Sequence, residues 1–245
     1  MEPTIIYEDS EVLVINKPAG LVVHSDGLPA QAGKTKEKTL VDWIMDKYPE
    51  IKEVGEAGRD SHGNEILRSG IVHRLDRETS GVMLIAKTQE SFHSLKNQFK
   101  EHEIKKVYQA FVLGEVKNDE GVIDRPISRS SKDFRMWTAQ RGGRGEEREA
   151  ITEYKVLNRK EGFSFVEVYP KTGRTHQIRV HFKAINYPLV SDRLYGRETE
   201  NSLGFKRLAL HSKQVTFRAI NGQERVFSAP YPDDFQKAID WLQSA

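Results

Sequence analysis

The sequence predicts an α+β fold with a mixed sheet and helices packed beside it. Three observations carry this prediction. The apolar and alternating runs come in clusters rather than in strict strand–helix–strand order, which argues against a Rossmann fold. Alternating runs at residues 152–157 and 163–169 are close enough in the chain to be antiparallel neighbours. Finally, the helical stripe of Phe92, Leu95 and Phe99 predicts a helix that packs on a core.

Each further element is predicted from local sequence. Strands are predicted at residues 12–15, 21–23, 82–86, 107–112, 135–139, 208–210 and 215–219. Helices are predicted at residues 39–48, from 88 onward, at 175–185 and at 233–242. Thr39 and Thr88 are suitable N-caps, and Pro49 ends the first helix. Turns or exposed loops are predicted at residues 17–20, 26–38, 50–69 and 141–145, where glycine is frequent.

Length and composition bound the class of protein. The 245 residues suffice for a substantial core, and 37% hydrophobic with 30% charged residues is typical of a water-soluble globular protein. No run approaches the roughly 20 apolar residues that cross a bilayer, and the N-terminus has no secretory pattern. The absence of cysteine excludes disulfides and thiolate metal sites. We therefore expect a cytoplasmic protein.

The charge distribution is more informative than the net charge of +2. Residues 125–144 carry six basic side chains against one acid, and residues 170–190 carry four against none. Either run alone is most simply a solvated face. Together, and interleaved with Phe134, Trp137 and Phe182, they favour a polyanionic partner.

The segment richest in chemistry lies directly before the apolar strand 82–86. It reads Ile71-Val72-His73-Arg74-Leu75-Asp76-Arg77-Glu78-Thr79-Ser80-Gly81. A polar loop at the end of a rigid strand is a common location for a functional site. The flanking arginines favour an ionised Asp76, which could act as a nucleophile or a base. The same residues fit equally well a turn that Asp76 caps and the arginines solvate.

Several motifs resemble those of the RluA family of pseudouridine synthases, in the family's order, over about residues 5–232. The His73-Arg74-Leu75-Asp76-x-x-Thr79-Ser80-Gly81 segment resembles the family signature. The further matches are Asn16-Lys17-Pro18-Ala19-Gly20-Leu21-Val22-Val23-His24, Lys106-Val107-Tyr108-Gln109-Ala110, Thr172-Gly173-Arg174-Thr175-His176-Gln177-Ile178-Arg179-Val180-His181, Asp192-Arg193-Leu194-Tyr195-Gly196 and Leu208-Ala209-Leu210-His211. Many relatives carry a small RNA-binding domain ahead of the first motif. Here we expect one catalytic domain over residues 1–245 without that module.

The resemblance implies the pseudouridine synthase fold, with a mostly antiparallel sheet around a central catalytic cleft, and isomerisation of uridine in RNA without cofactor or metal. Asp76 resembles the catalytic aspartate, Tyr108 the aromatic residue that stacks on the target base, and Arg179 the basic residue that pairs with the aspartate. Arg74 resembles the side chain that enters the RNA stack. The remaining expected substrate-binding residues are Ile178, His73, Arg77 and Thr79, although His73 is also suited to shaping the loop.

We expect structured RNA as the substrate, ribosomal RNA of the large subunit first and tRNA as the alternative, and a monomeric enzyme. A non-catalytic RNA-binding protein on the same fold is a rival, but it would not need Asp76, Tyr108 and Arg179 together. A glycosidase or nucleosidase is a second rival. Such enzymes usually place two carboxylates across the bond, whereas these motifs offer one carboxylate among basic residues.

Overall fold

The structure is a computed structural model that describes residues 2–24, 37–56, 58–59, 65–66, 69–140, 142–196 and 202–244. Most of the loop predicted at 26–38 and parts of the loop predicted at 50–69 therefore lie outside the described residues, as does Arg141 of the predicted basic run. Contacts divide the chain into two compact units. The first is Met1–Ile104 with Gln214–Ala229, and the second is Lys105–Lys213 with Pro230–Ala245. The prediction of one catalytic domain stays a prediction.

The first unit begins with three antiparallel strands in the order β1-β2-β5. Its strands are β1 (Thr4–Glu8), β2 (Val12–Lys17), β3 (Gly58–Arg59), β4 (Glu65–Ile66), β5 (Ser80–Ala86), the Gln214–Arg218 part of β13 (Leu210–Arg218) and β14 (Glu224–Ser228). Its helices are α1 (Leu40–Lys47), a short 3-10 helix (Pro49–Ile51) and α2 (Gln89–Lys100). Apolar side chains of β2 and β5 pack against Phe92 and Leu95 of α2, as the helical stripe predicts.

Both threonine caps are confirmed. Thr39 Oγ1 accepts the Asp42 N–H at 3.2 Å, and the Asp42 carboxylate accepts the Thr39 N–H at 2.8 Å. Thr88 and Ser91 exchange the same pair of bonds at the start of α2. Each reciprocal pair satisfies backbone donors that the first helical turn leaves without a partner, so the local sequence is sufficient to set where these helices begin.

The second unit has a sheet in the order β6-β12-β11-β7 with antiparallel pairings. Its strands are β6 (Lys105–Leu113), β7 (Glu120–Asp124), β8 (Ile127–Arg129), β9 (Trp137–Thr138), β10 (Arg144–Arg148), β11 (Ile151–Lys160), β12 (Phe163–Pro170) and the beginning of β13. Its helices are α3 (Gln177–Ala184) and α4 (Asp233–Gln243). Because successive side chains of a strand alternate between faces, Ala110 and Val112 pack on α3 while Phe111 packs on α4.

A small antiparallel sheet in the order β10-β8-β9 lies beside α3 in the second unit. Ile127 of β8 packs with Val180 of α3 and with Tyr195, and the part-buried side chains of Met136 and Trp137 cover this cluster. Two basic residues of the 125–144 run, Arg129 and Arg144, lie on this sheet, and Lys132 and Arg135 lie in the loop between β8 and β9.

The α+β prediction and the mostly antiparallel sheet are confirmed, and three local predictions are wrong. Residues 21–23 form no strand, because the Val22 and Val23 carbonyls accept the first N–H groups of α1, from Leu40 and Val41. The strands predicted at 208–210 and 215–219 are one strand, β13, whose central polar residues are partly buried. The strand predicted at 135–139 shrinks to β9.

None of the described helices combines the length and apolar character needed to cross a membrane. The expected cytoplasmic location stays a prediction.

Candidate active site

The segment that carries Asp76 is fixed at its entrance by Gly70. This residue has a φ of +76°, and a Cβ there would stand 2.1 Å from the Ala86 carbonyl oxygen. Only glycine permits so close an approach in this conformation. The Gly70 N–H donates to Val54 O at 2.7 Å, and its carbonyl accepts the Ala86 N–H at 2.9 Å. The chain therefore enters the segment held against the end of β5, a strand that is buried along its whole length.

His73 connects the middle of the segment to β5 and α2. Its Nε2 accepts the Leu84 N–H at 2.9 Å, and its ring stacks on Phe99 with centroids 4.6 Å apart. An imidazole nitrogen that accepts a backbone N–H carries no proton, so the proton of a neutral ring lies on Nδ1. These contacts suit the interpretation of His73 as a residue that shapes the loop. Its predicted contact with substrate stays a prediction.

The turn after Asp76 is held by Lys17, whose side chain is fully buried. The Lys17 ammonium donates to the carbonyl oxygens of Pro18, Leu21 and Arg77 at 3.0, 2.9 and 3.1 Å. The same Arg77 carbonyl accepts the Gly20 N–H at 2.8 Å. A charge buried in this way is tolerated when its donors are satisfied. The first motif, which contains Lys17 and Gly20, thus serves to anchor the backbone next to Asp76, a role that the sequence analysis did not assign.

Within this anchored turn the side chains differ in exposure. Asp76 is part-buried, its carbonyl accepts the Thr79 N–H at 3.1 Å, and Arg74 is exposed. Arg77 is also exposed and forms a two-bond ion pair with Glu37 at 3.0 and 2.7 Å. The Thr79 hydroxyl is buried and has no hydrogen-bond partner among the described residues.

Tyr108 lies on β6 in the second unit, on the strand face that packs against α3. It pairs with Val168 of β12 and is part-buried against the cluster that contains Ile178. Lys106 precedes it by two residues and therefore lies on the same face. The Lys106 ammonium donates to Thr172 O at 3.3 Å, and burial lowers its pKa to about 8.

The start of α3 is held by a buried hydrogen-bond network rather than by a side-chain cap. His176, the residue before the helix, has a φ of +57° and makes no capping bond. Instead, Gln177 Oε1 accepts from the Thr172 hydroxyl at 2.7 Å and from the Arg174 N–H at 2.9 Å, and Gln177 Nε2 donates to Ile151 O at 3.0 Å. The C-terminal motif therefore tethers α3 to the neighbouring strands.

Arg179 is bound within its own unit by Asp192, which has no exposed side-chain surface. Arg179 Nε and Nη2 each donate to one Asp192 oxygen at 2.8 Å. The same carboxylate accepts the Leu194 and Tyr195 N–H groups, both at 3.0 Å. A bidentate pair with further backbone donors fixes both position and orientation of the guanidinium. Asp192 was missed as a functional residue, although it stands in a motif that the sequence analysis quoted.

Tyr195 lies under the same guanidinium and is almost completely buried. The Arg179 guanidinium carbon is 4.9 Å from the Tyr195 ring centroid. The Tyr195 hydroxyl accepts the Trp137 N–H at 2.9 Å and lies 2.9 Å from His176 Nδ1. Tyr195 thus connects the small β8–β10 sheet with the arginine that was predicted to be catalytic.

The predicted site residues fall into two sets. His73, Arg74, Asp76, Arg77 and Thr79 share the anchored segment of the first unit, whereas Tyr108, Ile178 and Arg179 belong to the second. Tyr108 and Ile178 meet in one cluster. The pairing of Asp76 with Arg179 stays a prediction. Among the described residues, no group of three or more histidine or acidic side chains is placed to bind a metal ion.

A family model described as RNA pseudouridylate synthase matches residues 11–184. The chain belongs to this family. A Bacillus subtilis protein named as an uncharacterized RNA pseudouridine synthase is 38% identical over 244 residues, covering 99% of this chain and 74% of that protein. A Zymomonas mobilis protein named ribosomal large subunit pseudouridine synthase D is 36% identical, covering 97% of this chain and 72% of that protein. The solved structure named human RNA pseudouridylate synthase domain containing 4 superposes with a TM-score of 0.72 at 25% identity, over 98% of this chain and 93% of that one.

The resemblance to RluA-type enzymes is therefore confirmed, and so is the predicted fold. The synthase is an isomerase that acts on RNA and converts uridine to pseudouridine. The structural findings show how its motifs are used: the first motif and the segment before β5 hold Asp76 in place, and the C-terminal motif with Asp192 and Tyr195 holds Arg179.

Proposed function

We propose that this synthase modifies uridine in ribosomal RNA of the large subunit and that Asp76 is its catalytic carboxylate. The observation that carries the choice of Asp76 is the anchoring of its segment at Gly70, His73 and the Arg77 carbonyl, around a side chain that remains part-buried. Effective nucleophiles sit on supported, rigid elements, because a small misplacement of the reacting group lowers the rate strongly.

The reaction rearranges bonds within one nucleotide. The bond between C1′ and N1 breaks, uracil turns, and a bond between C1′ and C5 forms, while C5 loses a proton and N1 gains one. No atom is gained or lost, so the reaction needs no co-reactant. In the proposed mechanism the Asp76 carboxylate attacks the nucleotide or initiates cleavage of its glycosidic bond, Arg179 keeps that carboxylate charged, and Tyr108 stacks on the base near the proton of C5.

The target base must leave its stack before this chemistry begins. Flipping a base costs a few kcal/mol. Stacking on an aromatic side chain contributes about 1–3 kcal/mol per base, so Tyr108 could offset much of that cost. Arg74, which is exposed, would enter the space that the base leaves. We propose that the enzyme works in this way as a monomer and without metal.

The choice of RNA is supported by the names of relatives. The Zymomonas mobilis protein, which matches nearly the whole chain, is named for the large ribosomal subunit. The exposed basic side chains Arg129, Lys132, Arg135, Arg144 and Arg148 on and around the β8–β10 sheet suit an RNA backbone.

The test combines chemical mapping of pseudouridine with kinetics. Large-subunit RNA and bulk tRNA, each transcribed without modifications, are incubated with the purified protein, with and without a metal chelator, and mapped. We expect pseudouridine in the large-subunit RNA under both conditions. Modification of tRNA alone would overturn the proposed target, and loss of activity with the chelator would overturn the metal-free mechanism.

Asp76→Asn tests the catalytic carboxylate. We expect pseudouridine formation to fall by at least roughly a thousandfold, as for other enzymes that lose a covalent catalyst. The dissociation constant for RNA should stay within about twofold. Asp46→Asn is the matched control, because Asp46 is an exposed carboxylate of the same unit that pairs only with the exposed Lys38 among the contacts described. Appreciable turnover by the Asp76 variant would refute the mechanism.

A further inference from the structure

The second unit contains a cavity of about 270 Å³ between the β8–β10 sheet and α3. Val180 and Ala184 of α3 are among the apolar residues that line it. Trp137 and Tyr195 line it as well, and so do Lys132 and Lys183. Among the described residues that line it there is no carboxylate. The lining of the cavity therefore combines aromatic and apolar residues with two lysines.

This combination matches the chemistry of a nucleotide. A base unstacked from RNA is bound by stacking on aromatic side chains, and its phosphate by lysine or arginine. Pockets for drug-sized ligands have volumes of about 300–1,000 Å³. A cavity of about 270 Å³, just below that range, is of a size for a smaller ligand such as one base with part of its sugar. Arg129 does not line the cavity but covers the Trp137 ring at 4.5 Å, which holds the indole in place.

Polar groups suited to a base edge also line the cavity. Ser130 is 7% exposed, and its Oγ accepts the Lys132 N–H at 3.1 Å, so the hydroxyl proton can be donated to a ligand. Lys183 Nζ donates to Tyr195 O at 2.6 Å, and two further ammonium protons can reach a phosphate. Ser130 and Lys183 thus each have a protein contact and retain donors for a ligand.

The cavity also adjoins the arginine of the proposed catalytic set. Tyr195 lines the cavity, and its ring contacts the Arg179 guanidinium at 4.9 Å. Val180, the next residue of α3, lines it too. A ligand here would therefore share one neighbouring residue, Tyr195, with Arg179.

We propose that this cavity binds a second, unstacked nucleotide of the RNA substrate, distinct from the target uridine, and so contributes to the choice of RNA. The proposal rests on the proposed function in that the bound nucleotide belongs to the RNA being modified. It explains why the small sheet, the Tyr195 hydroxyl and Arg179 form one connected set of contacts.

Binding is tested directly with 5-fluorotryptophan-labelled protein and a single-stranded hexauridylate and a hexaadenylate as probes. The chain has three tryptophans, and Trp137→Phe assigns the resonance of Trp137. We expect the Trp137 signal to move on addition of at least one probe, while those of Trp43 and Trp241 stay in place. The proposal is overturned if either probe binds to saturation and the Trp137 signal does not move. A shift with free AMP and UMP but with neither oligonucleotide would also overturn it, because the cavity would then be a mononucleotide site.

Kinetics with large-subunit RNA give the second test. Trp137→Ala should raise KM about tenfold, within the range for loss of one base stack, and leave kcat within about twofold. Trp137→Tyr, which keeps an aromatic face, should stay close to the wild type. Trp241→Ala is the matched control: Trp241 is a part-buried, cation-covered tryptophan of α4 in the same unit, and its truncation should change KM by less than twofold. Equal KM values for the two alanine variants overturn the proposal.

A loss of folding in Trp137→Ala would be detected as a lower melting temperature. In that event Ala139→Phe decides the question, because it fills the cavity from its lining without removing the indole, and it should raise KM by a similar factor. A wild-type KM for a folded Ala139→Phe protein contradicts the proposal. Absence of pseudouridine in large-subunit RNA would refute the proposed target alone, and the oligonucleotide titration would still decide the cavity.

Discussion

Replacement of Asp192 by asparagine should destabilise the protein and release Arg179 from its fixed orientation. The Asp192 carboxylate is fully buried and accepts four hydrogen bonds, two from Arg179 and one each from the Leu194 and Tyr195 N–H groups. Asparagine has nearly the same shape but offers one oxygen. If that oxygen replaces Oδ1 and keeps its three donors, the amide NH₂ faces the Arg179 Nε–H, donor against donor.

The size of the effect follows from burial. Breaking a buried ion pair by removal of one partner costs about 3–5 kcal/mol, because the other charge is left without compensation. The Arg179 side chain is 11% exposed, so solvent can relieve little of that cost, and asparagine retains some of the bonds. We therefore expect a loss of about 2–4 kcal/mol in the free energy of unfolding. For a chain of this size that corresponds to a melting temperature lower by roughly 5–15 °C.

Urea unfolding of four proteins measures the interaction energy between Asp192 and Arg179. The four proteins are the wild type, Asp192→Asn, Arg179→Met and the double variant. In the double variant the cost of Asp192→Asn should become much smaller, since no buried cation remains to be paired. The kcat of Asp192→Asn for pseudouridine formation should also fall tenfold or more if Arg179 acts as proposed. A destabilisation below about 0.5 kcal/mol, or costs that simply add in the double variant, would refute this account of Arg179.

Two further predictions concern buried titratable groups. Lys106→Met should raise the free energy of unfolding at pH 7 by up to about 3 kcal/mol, because burial lowers the pKa of the Lys106 ammonium from 10.5 to about 8. The free-energy cost of burying the charged ammonium is complete below pH 8 and vanishes near pH 10.5. The difference in free energy of unfolding between variant and wild type, measured with urea, should therefore disappear across that window. A difference independent of pH contradicts the prediction. Burial likewise lowers the pKa of the His181 imidazole, which is fully inaccessible and bound to Thr152 and Arg125 O. Because the unfolded chain then binds a proton more readily, stability should fall as the pH drops below about 6.5, and His181→Gln should flatten that decline in acid unfolding curves; an unchanged acid limb would count against it.

The elements that the sequence predicted well are those whose cause is local. The strand predicted at 82–86 is apolar at every residue, and each of these residues is buried. The helices that follow Thr39 and Thr88 begin where a capping side chain can meet a backbone donor within three residues. In each case the stabilising contact lies a few positions along the chain, so the sequence pattern contains it.

β13 shows where prediction from the local sequence fails. The strands predicted at 208–210 and 215–219 leave residues 211–214 between them, yet His211 and Ser212 are 0% and 3% exposed inside one strand. The His211 ring packs against Tyr231 and Phe235, which lie some twenty residues further along the chain. A polar residue is exposed only when no group from a distant part of the chain covers it. A short segment of the sequence does not contain that information.

The candidate site divides in the same way. Asp76, Tyr108 and Arg179 were found through motifs, whereas the groups that hold them were not. Lys17 acts on a carbonyl sixty residues away, and Asp192 acts on Arg179 across thirteen. Lys17 and Asp192 both stand in family motifs, and neither had an assigned role, which is the signal that could have identified them. A buried charge needs a partner, and the other motifs of the family are the first places to look for it.

In the C-terminal motif, residues 172–181, several polar side chains serve to position α3. Of its polar side chains, those of Thr172, Gln177 and His181 are buried at 4%, 4% and 0% exposure, and all three bond to one another or to β11. Because α3 begins after a left-handed residue and without a side-chain cap, these bonds take the place of the cap. Arg179 lies only two residues beyond Gln177, so its direction depends on that first turn. Thr172, Gln177 and His181 of this motif therefore set the position of α3, and with it the direction of Arg179.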